Sequence, residues 1–224
     1  DSYAPYIDGR DLLSETFKVR TTEGVMTDFE YDADKAEWDY TIDDAADTPV
    51  ASPAELPTGV DYTDLFRMNV KVLWTLDRNG DEVVYGIYAE DSSVLATGVL
   101  GDLDLDNLAN SKVKVGDNTY RTTGTSLTYY AFGAAASGGV VDNTDFSMSD
   151  GTVKIADSYS MKLIDNTGDG KADVVVYQPY TVGKVGYVGQ NNITTNATGY
   201  TSLKLEDIKV YSGIAKDDYV IITD

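Results

Sequence analysis

The stretch around residue 170 carries oxygen-bearing side chains at the spacing of a calcium-binding loop. Calcium is a hard cation that takes several oxygen ligands, and its loops turn sharply at a glycine in the sixth position. Gly170 occupies that position when the count begins at Asp165. The oxygen-bearing side chains at positions one, three, five and nine belong to Asp165, Thr167, Asp169 and Asp173. We take these four residues as candidate metal ligands and calcium as the candidate cofactor.

The same loop departs from the EF-hand pattern in two places. Position three is Thr167 rather than Asp or Asn, and position twelve is Val176 rather than the bidentate Glu. The residues leave two alternatives open: a weak calcium loop, with a dissociation constant on the order of 0.1 to 1 mM, or a polar hairpin turn. A similar stretch at 77–85 has Glu82 at the glycine position. There the pattern favours a plain turn.

A second candidate site is an aromatic strand face. Residues 25–31 and 37–42 alternate polar and apolar side chains around a short polar stretch, which predicts a β-hairpin. Alternation places Trp38 and Tyr40 on one face together with Phe29 and Tyr31. Such a face is either a sugar-stacking platform or the side that packs on the core. Trp38 and Tyr40 are the candidate carbohydrate-platform residues.

The composition narrows the chemistry that the chain can perform. Its 224 residues contain no His and no Cys, which removes Ser-His-Asp triads, thiolate nucleophiles and imidazole or thiolate metal sites. The 38 acidic residues make chance carboxylate pairs inevitable, and no phosphate-binding glycine loop or nucleophile elbow is present. We therefore predict a protein that is not an enzyme.

Charge and hydropathy also bear on the partners. The formal net charge of −21 repels phosphate backbones and anionic bilayers, so the sequence predicts no nucleic-acid partner. No apolar run approaches the roughly 18 residues of a membrane span, so we expect no membrane insertion. Hydrophobic residues at 42% are enough for a packed core despite the charge.

Short runs with a period of two dominate the chain and predict an all-β fold with hairpins and little helix. Residues 71–85 and 162–177 share an apolar strand, an acidic glycine turn and a Val-Val-Tyr strand. This approximate repeat favours two small β-barrel or sandwich-like modules. The predicted division is an N-terminal module at 1–121, a connection rich in Gly, Ala, Ser and Thr at 122–150, and a C-terminal module at 151–224.

The last seventy residues resemble a known type of protein. The motifs that carry the resemblance are KLIDNTGDGKAD at 162–173, YTVGKV at 180–185 and IKVYSGIAKDDYV at 208–220. They look like the β-rich, non-anchoring region of S-layer type surface proteins of Gram-positive bacteria, many of which also carry S-layer homology anchoring repeats. Those repeats are largely helical and find no counterpart in this sequence.

The resemblance implies an exported, acidic, structural module, located outside the cell on the bacterial surface or in the cell wall. The implied partners are other surface-protein subunits or cell-wall polysaccharide, and calcium would support assembly. A carbohydrate-binding module that uses Trp38 and Tyr40 is the alternative function.

Overall fold

The structure is a computed structural model that describes residues 6–7, 10–11, 17–43, 56–134, 137, 139–141 and 156–223. These residues form an all-β protein, which confirms the predicted fold class. The helical content of the described residues is three single 3-10 turns, at Thr63–Leu65, Leu100–Asp102 and Leu108–Asn110. In chain order the strands are β1 (Tyr6–Ile7), β2 (Arg10–Asp11), β3 (Arg20–Asp32), β4 (Glu37–Asp43), β5 (Asn69–Leu76), β6 (Glu82–Ala89), β7 (Ser93–Val99), β8 (Leu103–Asp104), β9 (Lys112–Val115), β10 (Asn118–Arg121), β11 (Leu127–Ala131), β12 (Gly139–Val141), β13 (Ser160–Asp165), β14 (Val174–Gln178), β15 (Thr181–Val188), β16 (Asn192–Thr195), β17 (Ser202–Lys204) and β18 (Tyr219–Ile222).

The strands form four main sheets and the short hairpin β1–β2. The first sheet has the order β4-β3-β5-β6 and is antiparallel throughout. The central sheet has the order β12-β11-β14-β13-β7, in which only the pair β11–β14 is parallel. The described residues also form a small sheet with the order β10-β9-β8 and a C-terminal sheet with the order β17-β16-β15-β18.

The hairpins predicted from alternation and turn residues are present. β3 pairs with β4 so that Phe29 faces Tyr40 and Tyr31 faces Trp38. β5 pairs with β6 across a turn in which Gly80 has a φ of +94°, a left-handed backbone conformation that suits glycine. β13 pairs with β14 across the loop at 165–173.

The strands β13 and β14 of the central sheet are buried on both faces. On one face Leu163 and Val175 join a core cluster with the small sheet. On the other face Ile164, Val174 and Val176 join the core of the first sheet. Because both of its faces are covered, β14 has an almost continuous apolar sequence rather than an alternating one.

The central sheet crosses the division predicted from composition. β7 comes from residues 1–121, β11 and β12 lie within 122–150, and β13 and β14 come from residues 151–224. β11 is an interior strand, hydrogen-bonded to β12 on one side and to β14 on the other. Residues 127–131 of the stretch that we predicted as a connection are therefore an interior strand, which accounts for their lack of charge. Composition does not distinguish a connection from such a strand, because the parallel partner of β11 lies more than forty residues further along the chain.

In the part of the chain that the structure describes, we find no helix with the length and apolar character needed to cross a membrane.

Candidate functional site

The predicted calcium loop connects β13 to β14 at one end of the central sheet. Asp165 is the last residue of β13, and only 2% of its surface is exposed. The β-ladder closes at the pair Ile164 and Val174, so the loop begins and ends at neighbouring positions. Two glycines with positive φ, Gly168 at +72° and Gly170 at +77°, let the chain turn within this short span.

The carboxylate of Asp165 is held by the backbone of its own loop. Oδ1 accepts hydrogen bonds from the backbone N–H groups of Thr167 at 3.0 Å and Gly168 at 2.7 Å. Oδ2 accepts from the N–H of Gly170 at 2.7 Å. Since a buried carboxylate needs hydrogen-bond partners, these three bonds satisfy Asp165 and define the shape of the turn.

Asp173 and Thr167 lie beside this carboxylate. Asp173 Oδ2 accepts the backbone N–H of Asn166 at 2.8 Å, and the Thr167 hydroxyl is 3.4 Å from both Asp165 Oδ1 and Asp173 Oδ2. Asp173 Oδ1 accepts a short hydrogen bond from the hydroxyl of Thr123, which ties the loop to the start of the β11 segment. The structure thus brings three of the four candidate ligands together.

The fourth candidate ligand, Asp169, is paired with a cation of the protein itself. Its carboxylate forms an ion pair with Lys171 Nζ and accepts the backbone N–H of Lys171 at 2.9 Å. The side-chain hydrogen bond from Lys171 is the largest contribution that lowers the pKa of Asp169. Within the described ranges, no group of three or more acidic side chains has the arrangement of a metal site. Calcium ligation by these four residues stays a prediction.

The turn at 77–81 repeats the same backbone chemistry on the surface. Asp77 Oδ1 accepts the N–H groups of Asn79 at 2.7 Å, Gly80 at 3.0 Å and Asp81 at 3.0 Å. The hydrogen bonds from Asp81 and Asn79 are the largest contributions that lower its pKa. The two hairpins of the approximate repeat therefore share a turn in which one Asp accepts three backbone donors.

Trp38 and Tyr40 lie in the core between the first and central sheets. Trp38 is 6% exposed and Tyr40 is fully buried, so their shared face is the packing face, one of the two alternatives that the sequence leaves open. The Tyr40 hydroxyl accepts the N–H of Tyr62 at 2.6 Å and donates to the carbonyl of Val60 at 3.1 Å. Burial raises the pKa of Tyr40 well above its ordinary value.

The exposed aromatic side chains lie elsewhere, and one of them has a fixed ring orientation. Tyr88 on the edge strand β6 is 55% exposed. A Cβ added to Gly86 would lie 2.5 Å from the Tyr88 hydroxyl oxygen and 2.8 Å from Cζ, so the ring lies across the bare glycine. Its cross-strand neighbour Lys71 forms ion pairs with Glu23 at 2.7 Å and Glu90 at 3.1 Å.

Sequence reasoning also missed an aromatic cage around Lys209. The cage combines rings from β3, β4 and the segment between β17 and β18 with the carboxylate of Asp61. Lys209 is 148 residues from Asp61 in sequence, and no local pattern links them. The one signal available was the position of Lys209 two residues before Tyr211.

Comparison with known proteins adds no relative. The chain matches no family model, no curated protein and no solved structure.

Proposed function

We propose that this chain is a structural, non-enzymatic module of a bacterial cell-surface protein of the S-layer type, stabilised by cations and located outside the cell. The observation that supports this role is the central sheet, which takes strands from three parts of the chain and is covered on both faces. Two cores share this sheet, so loss of either core exposes strands that the other needs. We expect cooperative resistance to unfolding, as a load-bearing surface module requires.

Packing has to supply this resistance because the chain has no cysteines to cross-link. Its net charge of −21 opposes compaction through self-repulsion, and bound cations relieve such repulsion. The loop at 165–173 is the proposed calcium site. Binding there requires Asp169 to leave Lys171 and turn towards Asp165 and Asp173, which keeps the affinity weak.

The test combines calcium titration with an assembly measurement. Thermal melts and sedimentation velocity of the whole chain are recorded with increasing calcium for the wild type and for Asp169→Ala. We expect a saturable rise in Tm and growth of larger assemblies, both lost in Asp169→Ala. Asp117→Ala removes the same charge from an exposed turn between β9 and β10 and is the matched control.

Two results would count against the proposal. Identical melts with and without calcium would remove the cation and leave only the structural role. Robust turnover in a screen of glycosidic and peptide substrates, abolished by one Asp→Asn change, would overturn the structural role itself.

Carbohydrate binding is a second candidate function, and the observation that favours it concerns Tyr88 rather than Trp38 and Tyr40. The Tyr88 ring is exposed and lies across Gly86, beside the charged row formed by Lys71, Glu23 and Glu90. An oriented aromatic face next to hydrogen-bonding groups suits a sugar ring. We expect Tyr88→Ala to abolish binding of cell-wall polysaccharide. Tyr219→Ala, which alters another exposed tyrosine, should leave binding unchanged. Equal binding to both variants would exclude this site.

A further inference from the structure

The ammonium group of Lys209 is enclosed by three aromatic rings and one carboxylate. Nζ lies 4.5 Å from the ring centroid of Trp38, 4.9 Å from that of Tyr211 and 5.3 Å from that of Tyr31. Nζ also donates to Asp61 Oδ2 at 3.1 Å. All three ring distances are within the range in which a cation is attracted by an aromatic face.

Three of the four cage residues are positioned independently of Lys209. Tyr31 and Trp38 are cross-strand neighbours on β3 and β4, and their ring centroids are 4.9 Å apart. Asp61 is oriented by Thr63, which donates to Asp61 Oδ1 through its hydroxyl at 2.7 Å and through its backbone N–H at 3.1 Å. The first sheet and its adjoining loop therefore preorganise most of the cage.

Lys209 and Tyr211 come from a different part of the fold. They lie in the segment 205–218 between β17 and β18, which is mostly exposed and contains no strand. The Lys209 side chain remains 27% exposed, so solvent and small solutes reach the cage from outside. Lys209 is thus a partly exposed residue outside the two core clusters.

We propose that Tyr31, Trp38, Tyr211 and Asp61 form a binding site for an alkylammonium group, which Lys209 fills in this structure and which an external ligand fills in its place. Aromatic faces around one acidic group are the chemistry that recognises methylated or quaternary ammonium ions. The proposal adds a ligand class to the module and does not depend on calcium binding or on a structural role.

Competition with Lys209 gives the proposal a quantitative consequence. A tethered lysine acts at an effective concentration in the millimolar range, so it weakens the apparent affinity for any external cation. Removing the lysine should therefore tighten binding of an external alkylammonium on the order of tenfold. A nonspecific charge effect on this acidic protein would not depend on which lysine is removed.

The experiment is isothermal titration calorimetry of the whole chain with tetramethylammonium chloride, with sodium chloride at equal ionic strength as the reference. The variants are the wild type, Lys209→Ala, Lys209→Met and Lys204→Ala. Lys209→Met keeps the alkyl stem that packs on the rings. Lys204 forms ion pairs with Glu206 and Asp207, away from the aromatic rings of the cage, so Lys204→Ala is the matched control for the loss of one positive charge.

We expect saturable binding that tightens in both Lys209 variants, is unchanged in Lys204→Ala, and is lost when Tyr31→Ala is added to Lys209→Ala. Equal heats from tetramethylammonium and sodium would overturn the proposal. Equal tightening in Lys204→Ala and Lys209→Ala would overturn it as well, because the effect would then come from net charge.

Discussion

Replacement of Asp165 by alanine tests whether the 165–173 loop depends on one carboxylate. The change removes three acceptor interactions, with the N–H groups of Thr167, Gly168 and Gly170. A hydrogen bond to a charged group contributes about 1.5–3 kcal/mol to stability. The three donors belong to exposed residues and regain hydrogen bonds to water in the variant, so the losses do not add in full. We expect Asp165→Ala to lower the free energy of unfolding by about 2–4 kcal/mol.

The assay is urea denaturation followed by tryptophan fluorescence and circular dichroism, with the m value compared between variants. Asp165→Asn keeps one acceptor oxygen but places an amide against one set of donors, so its unfolding midpoint should lie between those of the wild type and Asp165→Ala. Asp169→Ala is the control, because Asp169 is on the exposed side of the loop and its ion pair is with Lys171. A midpoint for Asp165→Ala equal to that of Asp169→Ala would refute the argument that backbone donors make this carboxylate structural.

Three further predictions follow from single contacts. Gly168→Ala should destabilise the protein more than Gly170→Ala in the same urea assay. Both glycines have positive φ, but only at Gly168 would the new Cβ meet a backbone oxygen, that of Asp91, at 2.8 Å. Equal unfolding midpoints would contradict this. Because the pKa of Asp77 is lowered below 3.8 in the folded state, its contribution to stability is present above that pH and is lost as the pH falls. Asp77→Asn should therefore reduce the loss of unfolding free energy, the acid limb, measured as the pH falls to about 2. A limb as steep as in the wild type would exclude Asp77 as its source. Tyr40→Phe leaves the N–H of Tyr62 without its acceptor and should cost about 1–3 kcal/mol, whereas an unchanged Tm would show that water replaces the hydroxyl.

The local elements were predictable because their signals are local. The hairpin of β3 and β4 forms as predicted and pairs Tyr31 with Trp38 on the predicted aromatic face, because a period of two fixes which side chains share a face. The turn at 77–81 followed from Asn79-Gly80, since glycine supplies the left-handed conformation that the hairpin requires. The acidic loop at 165–173 was located correctly between two strands for the same reason.

The arrangement of these elements required the tertiary structure. Alternation gives the aromatic face of Trp38 and Tyr40 but does not say whether water or another sheet covers it, and the covering strands β13 and β14 lie more than a hundred residues away. The parallel pairing of β11 with β14 and the meeting of Lys209 with Asp61 are likewise contacts between distant segments. The sequence by itself determined an acidic, all-β chain with hairpins and Asp-capped turns, because propensity and turn chemistry act over a few residues. Only the tertiary structure decided which faces are buried and which charges meet, because burial and long-range pairing depend on the free energy of the whole fold.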